Sequence, residues 1–337
     1  MPSITAPPTS LHPGFASKYI LGDELGSGGF GFVMSATERE TGIERAVKFI
    51  YKAKVPASAW VTTRSNERMP MEIYVLKHVR HPNVVRYMDS FEDNTFFYLV
   101  MELHGSQWIS PAPTTTPAQP QLLTTAEVQL PPSPPASPQL SNDSCDEDDD
   151  IAERRPPTRR PSCDLFECIE QHRRLDENLA KKIFLQIIDC VAYLDNKGVC
   201  HRDIKDENIV IDSDYNVKLI DFGSAVLLPR RQQNGHRKLC LHSKFYGTVS
   251  FASPEILVGK PYQAEPAEVW ALGVLLYTML FGEVPFANPT MAIAGRFAKP
   301  KVQVSVKCMH LIHCMLTPSA SKRLSIHQVL SHPWLRS

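Results

Sequence analysis

The chain has 337 residues, with 36 Lys or Arg, 36 Asp or Glu and 43% hydrophobic residues. This length suffices for one large domain or two lobes with a real core. The balanced charge gives no global basic field for nucleic acid, and none of the eight cysteines forms a C-x-x-C pair, which argues against a disulfide framework.

Signals for secretion or membrane insertion are absent from the sequence pattern. The N-terminal stretch MPSITAPPTSLHPGF lacks a basic region followed by an apolar core. The longest apolar run, VWALGVLLYTMLF (269–281), is too short to span a bilayer and favours a buried helix. We therefore expect a soluble monomer, cytoplasmic with the nucleus as the alternative, and with neither nucleic acid nor membrane as a partner.

The first part of the chain predicts a small β-rich lobe. Residues 1–17 are rich in Pro, Ser and Thr, which predicts a disordered tail. Over 18–104, MEIYVLKHV has the apolar spacing of a helix. Runs rich in Val, Tyr, Phe and Thr predict strands in the same region: KYILGDELG, GFVMSATE, ERAVKFIYK, VVRYMDSFED and TFFYLVMEL.

The composition then changes abruptly in residues 105–163, here called the insertion. It holds 12 of the chain's 28 prolines, the acidic run DEDDD and the basic patch RRPPTRRPS. Such a segment buries too little apolar surface to offset its ordering entropy, which predicts disorder. Residues 164–337 are mostly helical by apolar spacing, so the sequence predicts a bilobal α+β fold.

The stretch LGSGGFGFV (25–33) carries glycines at Gly26, Gly28 and Gly31. Glycines let backbone approach phosphates closely and offer unobstructed N–H donors. A dinucleotide-binding fold would need a helix directly after them, whereas GFVMSATE is typical of a strand. The pattern therefore favours a β-hairpin flap over a nucleotide, with an ordinary hairpin as the alternative.

Lys48 lies in the apolar strand RAVKFI, where a lysine is costly unless it is paired or faces water. Two glutamates in the following segment, Glu67 and Glu72, are candidate partners. Proline is tolerated in the first turn of a helix, so the helix is expected to begin near Pro70. Glu72 then lies inside the helix on its packed side, and we predict it as the partner.

The stretch CHRDIKDENIVID (200–212) places many charges between two apolar segments. A solvated turn is the simplest explanation. However, Asn208 and the Asp221 of a following DFG supply the oxygen ligands that Mg²⁺ prefers. Asp203 is then able to orient and deprotonate an incoming hydroxyl. The pattern predicts the floor of a cleft.

In order along the chain, these segments resemble the protein-kinase signature set, which ends in a Pro-Glu at 254–255. The segments FFYLVMELHGS, CDLFECIE, HRDIKDENIVI, KLIDFGSA and AEVWALGVLLYTMLFGEVPF are similar to the PAS-domain-regulated serine/threonine kinases of the calmodulin-kinase-like group. The 17 residues before the first strand are too few for a PAS domain, so we expect a catalytic domain alone or a truncated relative.

The resemblance implies ATP and Mg²⁺ as cofactors, protein substrates and a role in nutrient or metabolic signalling. It makes Asp203 the catalytic base, places Lys205 near the transferring phosphate, and gives Asn208 and Asp221 to Mg²⁺. Lys48 would hold the α- and β-phosphates, positioned by Glu72. The implied ATP-binding residues are Leu25, Gly26, Ser27, Gly28, Gly29, Phe30, Gly31, Val33, Ala46, Lys48, Met101 as gatekeeper, Glu102 and Leu103.

The resemblance also implies residues that face the protein substrate. Glu207 occupies a position where basophilic relatives meet an arginine upstream of the target hydroxyl, and Asp164 one where they often place a second acid near the ribose or that arginine. The alternative is that both carboxylates simply face water, as surface carboxylates usually do. Thr248 serves structure and substrate positioning. Two carboxylates favour a bidentate guanidinium. The insertion itself contains RRPS, which makes Ser162 a candidate autophosphorylation site, in trans by preference.

Departures from the kinase pattern are few. Glu268 stands where most kinases have Asp and is expected to hold the catalytic-loop backbone. SPE replaces Ala-Pro-Glu, with Arg323 as the expected partner of its Glu255, and Pro70 is expected to shorten the helix and to loosen the Lys48–Glu72 pair.

Residues 225–242 contain no Ser, Thr or Tyr, and Ser243 and Tyr246 are the only candidates for phosphorylation before Thr248. Arg202 therefore has no obvious phosphorylated partner, and basal activity is expected without phosphorylation there. His236, Cys240 and His242 suggest zinc only weakly, because closed zinc sites need four ligands. A pseudokinase scaffold whose insertion binds partners is the rival function, and the intact Lys48, Asp203 and Asp221 argue against it.

Overall fold

The computed structural model describes residues 10–106, 163–230, 232, 237–297, 300 and 302–336, which all belong to one compact unit. Residues 107–162 of the insertion, for which disorder is predicted, lie outside the described residues, as do the candidate Ser162 and the possible zinc ligand His236. The N-terminal lobe is built on a five-stranded antiparallel sheet with the order β1-β2-β3-β7-β6. Its strands are β1 (Tyr19–Gly28), β2 (Gly31–Glu38), β3 (Glu44–Tyr51), β6 (Tyr87–Glu92) and β7 (Phe96–Glu102).

The outer face of this sheet is covered by a segment that precedes it. Helix α1 (Pro13–Lys18) inserts the fully buried Phe15 among aromatic side chains, stacking on Tyr19 at 5.3 Å between ring centroids. Such aromatic contacts add to the free energy gained by burial. The prediction of a disordered tail over 1–17 is therefore wrong for residues 10–17, because Phe15 and Leu11 pack on the sheet and the His12 N–H donates to the Tyr98 hydroxyl at 3.3 Å.

The second feature of the N-terminal lobe is a small hairpin that leads into its main helix. Strands β4 (Trp60–Thr62) and β5 (Arg68–Pro70) pair, and helix α2 (Met71–His78) begins directly after Pro70. Pro70 lies at the N-cap, where its missing N–H is not needed by the helix. The predicted start of the helix near Pro70 is confirmed.

The C-terminal lobe is mainly helical, and its core forms around α4 and α6. Mean hydropathy of 1.2 makes α6 the one described helix long and apolar enough to cross a membrane, but 83% of it is buried inside the protein, as in a core helix. Its helices are α3 (Leu165–His172), α4 (Glu177–Lys197), α5 (Pro254–Leu257), α6 (Ala264–Phe281), α7 (Pro289–Ala294), α8 (Val306–Met315), α9 (Ile326–Leu330) and α10 (Pro333–Arg336). Its short strands are β8 (Val199–Cys200), β9 (Ile209–Ile211), β10 (Val217–Leu219) and β11 (Val226–Leu227).

The two ends of the insertion meet on strand β9. The Ser106 N–H donates to the Ile211 carbonyl at 3.1 Å, and the Ile211 N–H donates to the Cys163 carbonyl at 2.8 Å. Gly105 has φ of +111°, and a Cβ on it would lie 2.5 Å from the Cys163 Cβ. The chain therefore leaves and rejoins the folded unit at one place.

Candidate active site

The glycine-rich segment folds as the predicted hairpin between β1 and β2, with Gly28 opposite Gly31. A Cβ at Gly26, Gly28 or Gly29 would meet nothing within 4 Å, so this part of the loop presents open backbone. A Cβ at Gly31 would lie 1.8 Å from the Phe49 carbonyl oxygen, so this position requires glycine. An open backbone next to a tightly packed one suits a flap that covers phosphates.

Lys48 is the centre of an ion triad below this hairpin. Its Nζ lies 2.8 Å from Glu72 Oε1 on α2 and 2.9 Å from Asp221 Oδ1 of the DFG. The predicted choice of Glu72 is confirmed as a contact, whereas Glu67 lies on the surface near Lys77 at 3.8 Å. The shortened helix of eight residues has not loosened the pair, contrary to the expectation from Pro70.

The triad shifts the pKa of each of its members. Burial opposes the charge on Lys48, but the carboxylates of Asp221 and Glu72 raise its pKa above the ordinary value. Burial would also raise the pKa of Asp221, yet Lys48 lowers it to about 2. Burial together with the neighbouring Asp221 raises the pKa of Glu72. Lys48 therefore stays a cation and Asp221 an anion at neutral pH.

The catalytic-base candidate, Asp203, is fixed by hydrogen bonds from three directions. Its Oδ1 accepts from the Thr248 N–H at 3.0 Å and from the Thr248 hydroxyl at 3.2 Å. Its Oδ2 accepts from Asn208 Nδ2 at 3.1 Å. These donors hold the carboxylate in one orientation. Thr248 thus has a structural role, and a substrate role remains a prediction.

The backbone of the catalytic loop is held from below by Glu268 of α6. Glu268 Oε1 accepts from the N–H groups of His201 at 2.7 Å and Arg202 at 3.0 Å. Burial raises the pKa of Glu268, which is 6% exposed. The expected role of Glu268 is confirmed. The expected partner of Glu255 is also confirmed, because Arg323 contacts both of its carboxylate oxygens at 2.8 and 3.0 Å.

Asn208 and Asp221 form the candidate Mg²⁺ site. The Asn208 amide nitrogen donates to Asp203, which directs the carboxamide oxygen away from it. The Ile220 N–H donates to the Asn208 backbone carbonyl at 3.0 Å. This bond places Asp221, the residue after Ile220, near Asn208. One ionised carboxylate and one carboxamide oxygen fit Mg²⁺, which takes few protein ligands and completes its shell with phosphates and water.

The residues predicted to line an adenine pocket lie in the N-terminal lobe and the connector that follows it. Ala46 and Met101 are buried and pair across β3 and β7, whereas Leu25 is 48% exposed on the rim. The Glu102 N–H already donates to the Arg86 carbonyl at 3.0 Å. The predicted backbone hydrogen bond from Glu102 to adenine would therefore use the Glu102 carbonyl. The remaining predicted ATP-binding residues lie on the hairpin, strand β2 and the connector after β7: Ser27, Phe30, Val33 and Leu103.

The predicted substrate-facing acids differ in their surroundings. Glu207 is half-exposed, and its Oε2 lies 2.6 Å from Lys205 Nζ. Asp164 is 7% exposed and caps α3 by accepting from the Glu167 N–H at 2.9 Å. Asp164 therefore satisfies a helix N-terminus and does not simply face water. Its role near the ribose or the substrate arginine stays a prediction.

The sequence marks neither the burial of Asp206 nor the contact that Tyr246 makes, although Tyr246 is one of two candidate hydroxyls for phosphorylation. Asp206 is 6% exposed, and burial raises its pKa to about 6. The Tyr246 ring lies 5.7 Å from the Arg202 guanidinium carbon. A buried Asp was foreseeable only as part of the charged run, and nothing in the local sequence indicates that the Tyr246 ring contacts Arg202.

The zinc suggestion gains nothing from the described residues. Cys240 Sγ lies 3.9 Å from His242 Nε2. Within the described part of the chain, no group of three His, Cys, Asp or Glu side chains is arranged to hold a metal ion.

Comparison with known proteins places these observations in a family. The protein kinase domain model matches residues 19–117 and 159–335, and the chain belongs to this family. It is 35% identical over 94% of its length to the PAS domain-containing serine/threonine-protein kinase of Mus musculus, of which it covers 18%. It is 29% identical to serine/threonine-protein kinase PSK1 of Saccharomyces cerevisiae, over 95% of this chain and 19% of that one.

A shorter relative is covered almost completely. Serine/threonine-protein kinase pim-2 of Danio rerio is 30% identical over 95% of this chain and 86% of its own. The chain thus spans about a fifth of the first two relatives and most of the third. Membership in the family implies ATP as substrate and the use of Mg²⁺.

Proposed function

We propose that this chain is a serine/threonine protein kinase, which transfers the γ-phosphoryl group of ATP to Ser and Thr hydroxyls of proteins. The observation that carries the proposal is the Asp203 carboxylate, held by Thr248 and Asn208 in the same site as the Lys48–Glu72–Asp221 triad. A hydroxyl base and a cation for phosphates are the two groups that phosphoryl transfer needs from a protein.

The residues act mainly by positioning and by charge. Asp203 orients the substrate hydroxyl and takes its proton as the oxygen bonds to the γ-phosphorus. The bond between that phosphorus and the β,γ-bridging oxygen breaks, and ADP leaves. Lys48 holds the α- and β-phosphates, and Lys205 neutralises charge on the transferring group. Bound Mg²⁺, held by Asn208 and Asp221, would neutralise phosphate charge during transfer.

Phosphorylation of a serine peptide with Mg·ATP tests the proposal directly. The wild-type chain is expected to incorporate phosphate, and Asp203→Ala is expected to lower turnover by on the order of 10²-fold or more, since general-base catalysis contributes that much. Lys48 and Asp221 are intact in this variant, so ATP binding should remain. Wild-type turnover no higher than that of Asp203→Ala would leave the pseudokinase scaffold as the function.

We further propose a preference for Arg upstream of the target hydroxyl. The support is Glu207, whose half-exposed carboxylate lies on the catalytic loop and already binds one cation, Lys205. A guanidinium matches a carboxylate bidentately, which an ammonium does not. A peptide array should show an Arg preference that Glu207→Ala weakens. No preference, or one unchanged in the variant, would contradict this.

The RRPS sequence extends the same proposal to Ser162 as an autophosphorylation site in trans. Mass spectrometry after prolonged incubation with Mg·ATP should find phosphate on Ser162, and its absence there would remove the site.

The likeness to PAS domain-containing kinases supports a proposed role in nutrient or metabolic signalling, as a monomer in the cytoplasm. A tagged chain confined to the nucleus would overturn that location.

A further inference from the structure

A hydrogen bond between two side-chain hydroxyls joins the two lobes. The hydroxyls of Ser58 and Tyr246 lie 3.2 Å apart, although 188 positions separate them in the sequence. Ser58 belongs to the short helical turn Ala57–Ala59 directly before β4, and Tyr246 belongs to the activation segment, residues 221–255. The bond thus connects the segment that precedes α2 with the segment that follows the DFG.

On the C-terminal side, Tyr246 contacts the arginine of the catalytic loop. The Arg202 guanidinium carbon lies 5.7 Å from the centre of the Tyr246 ring, and its Nε donates to the Ser224 carbonyl at 2.7 Å. Among the described residues, no carboxylate is paired with Arg202. A guanidinium over an aromatic face is stabilised by the ring quadrupole. In this chain an aromatic ring, rather than an anion, accompanies that arginine.

The backbone beside Tyr246 is held against the same arginine. A Cβ on Gly247 would lie 2.8 Å from the Arg202 carbonyl oxygen and 2.7 Å from the Phe245 ring. Because Gly247 has no side chain, the activation segment approaches the catalytic loop closely here. The next residue, Thr248, donates both of its hydrogen bonds to Asp203. Tyr246 therefore sits two residues from a group that fixes the candidate base.

On the N-terminal side, the Ser58 turn is packed into the hairpin that carries α2. The Trp60 indole N–H donates to the Val55 carbonyl at 3.3 Å, and the Arg68 guanidinium carbon lies 4.3 Å from the Trp60 ring centre. Strand β5 ends at Pro70, and Glu72 follows as the second residue of α2. A contact at Ser58 therefore bears on the position of Glu72 and, through it, on Lys48.

We infer that Tyr246 is a positioning residue that couples Arg202 of the catalytic loop to helix α2 through its bond to Ser58. This rests on the proposed kinase function and extends it to how the two halves of the site are held together. Tyr246 is half-buried and Ser58 exposed, so the bond is of the modest strength of a neutral hydrogen bond at the surface.

Two single variants and their combination test the coupling. Tyr246→Phe keeps the ring over Arg202 and removes the hydroxyl, and Ser58→Ala removes the partner. Each should lower kcat by roughly two- to fivefold at an unchanged peptide KM, and the double variant should be no worse than either single one, because both remove the same bond. Tyr246→Leu, which also removes the ring, should lose roughly tenfold or more.

Hydrogen exchange of the α2 amides gives a readout that is independent of turnover. Exchange over 71–78 should rise in Tyr246→Phe and Ser58→Ala. Exchange should stay unchanged in Ser65→Ala, the control. This variant removes a hydroxyl from the turn between β4 and β5, where it contacts the Thr63 hydroxyl at 2.9 Å. Unchanged α2 exchange in the two test variants, additive losses in the double variant, or equal effects in Ser65→Ala would each overturn the inference. An inactive wild-type chain would contradict the proposed function, while the exchange experiment would still decide the coupling.

Discussion

The catalytic loop and helix α2 are held in place by different kinds of contact. The loop is fastened by Glu268, which is 6% exposed and accepts two backbone N–H groups. Helix α2 has eight residues, and the turn Ala57–Ala59, which precedes its hairpin, contacts the activation segment through an exposed bond from Ser58. Buried acceptors are costly to remove, whereas exposed hydrogen bonds are not. The C-terminal half of the site is thus preassembled, and the N-terminal half is the adjustable one.

Lys48→Met should have the largest effect of these variants. It should lower turnover much more than it lowers the free energy of unfolding. Loss of a cation that contacts phosphates should reduce turnover by on the order of 10²-fold or more. Glu72, whose pKa burial already raises, can take up a proton when the lysine is lost, which limits the cost to folding. Turnover at saturating ATP and thermal unfolding measure both effects.

A matched control for this variant is Lys52→Met. Lys52 forms an ion pair with Glu92 at 2.8 Å on the surface of the same lobe, so turnover should stay within about twofold. Near-wild-type turnover in Lys48→Met, or an equal loss in Lys52→Met, would remove the triad from the mechanism.

Glu268→Ala tests the preassembled half. It leaves the N–H groups of His201 and Arg202 without their acceptor, which should cost roughly 3 kcal/mol of stability in urea unfolding. Glu268→Gln keeps an acceptor oxygen of nearly the same shape and should cost less than about 1 kcal/mol. Equal losses in the two variants would show that the carboxylate charge, and not the acceptor, holds the loop.

Asp206→Asn sharpens the comparison through pH. Burial raises the Asp206 pKa from 3.8 to about 6, so the folded state binds its proton more readily than the unfolded state. Wild-type stability should therefore fall as pH rises from about 4 to about 6 because of this group. At pH 7 the variant should be more stable by up to about 3 kcal/mol, and the advantage should vanish below pH 4. A difference that does not change with pH would contradict this.

Deletion of residues 107–162 should have the smallest effect. The flanking Ser106 and Cys163 both form backbone hydrogen bonds with Ile211 of β9, so a short bridge closes the gap without moving either lobe. If the insertion is as flexible as its composition predicts, a shorter loop changes the free energy of unfolding by less than about 2 kcal/mol, and in the stabilising direction. A bridged chain recovered solely as aggregate would show that the insertion contributes to folding.

The sequence could predict those parts of the fold whose signals are local. The glycine-rich hairpin, the start of α2 at Pro70 and the pairing of Lys48 with Glu72 all followed from short patterns with a clear physical reason. The lobes followed from a change in apolar spacing. The assigned catalytic, ATP-binding and substrate roles stay predictions, although the structure brings many of those residues together.

What the sequence could not predict depends on contacts between distant segments. Phe15 lies in a polar stretch, and only the aromatic face of the finished sheet explains its burial. The sequence alone does not show that Asp164 caps α3, because this depends on where the helix begins. Ser58 and Tyr246 are 188 positions apart in the sequence, so no local pattern could indicate the hydrogen bond between them.

The most direct measurement is the turnover of chain stripped of phosphate by a phosphatase and checked by mass spectrometry, alone and with Ser243→Ala. Residues 225–242 hold no Ser, Thr or Tyr, and the Tyr246 ring already accompanies Arg202. Both halves of the site should then be positioned without phosphate on the activation segment, and turnover should stay within about twofold of the untreated chain. Loss of activity on phosphatase treatment, or in Ser243→Ala, would show that a phosphate is needed to complete the site.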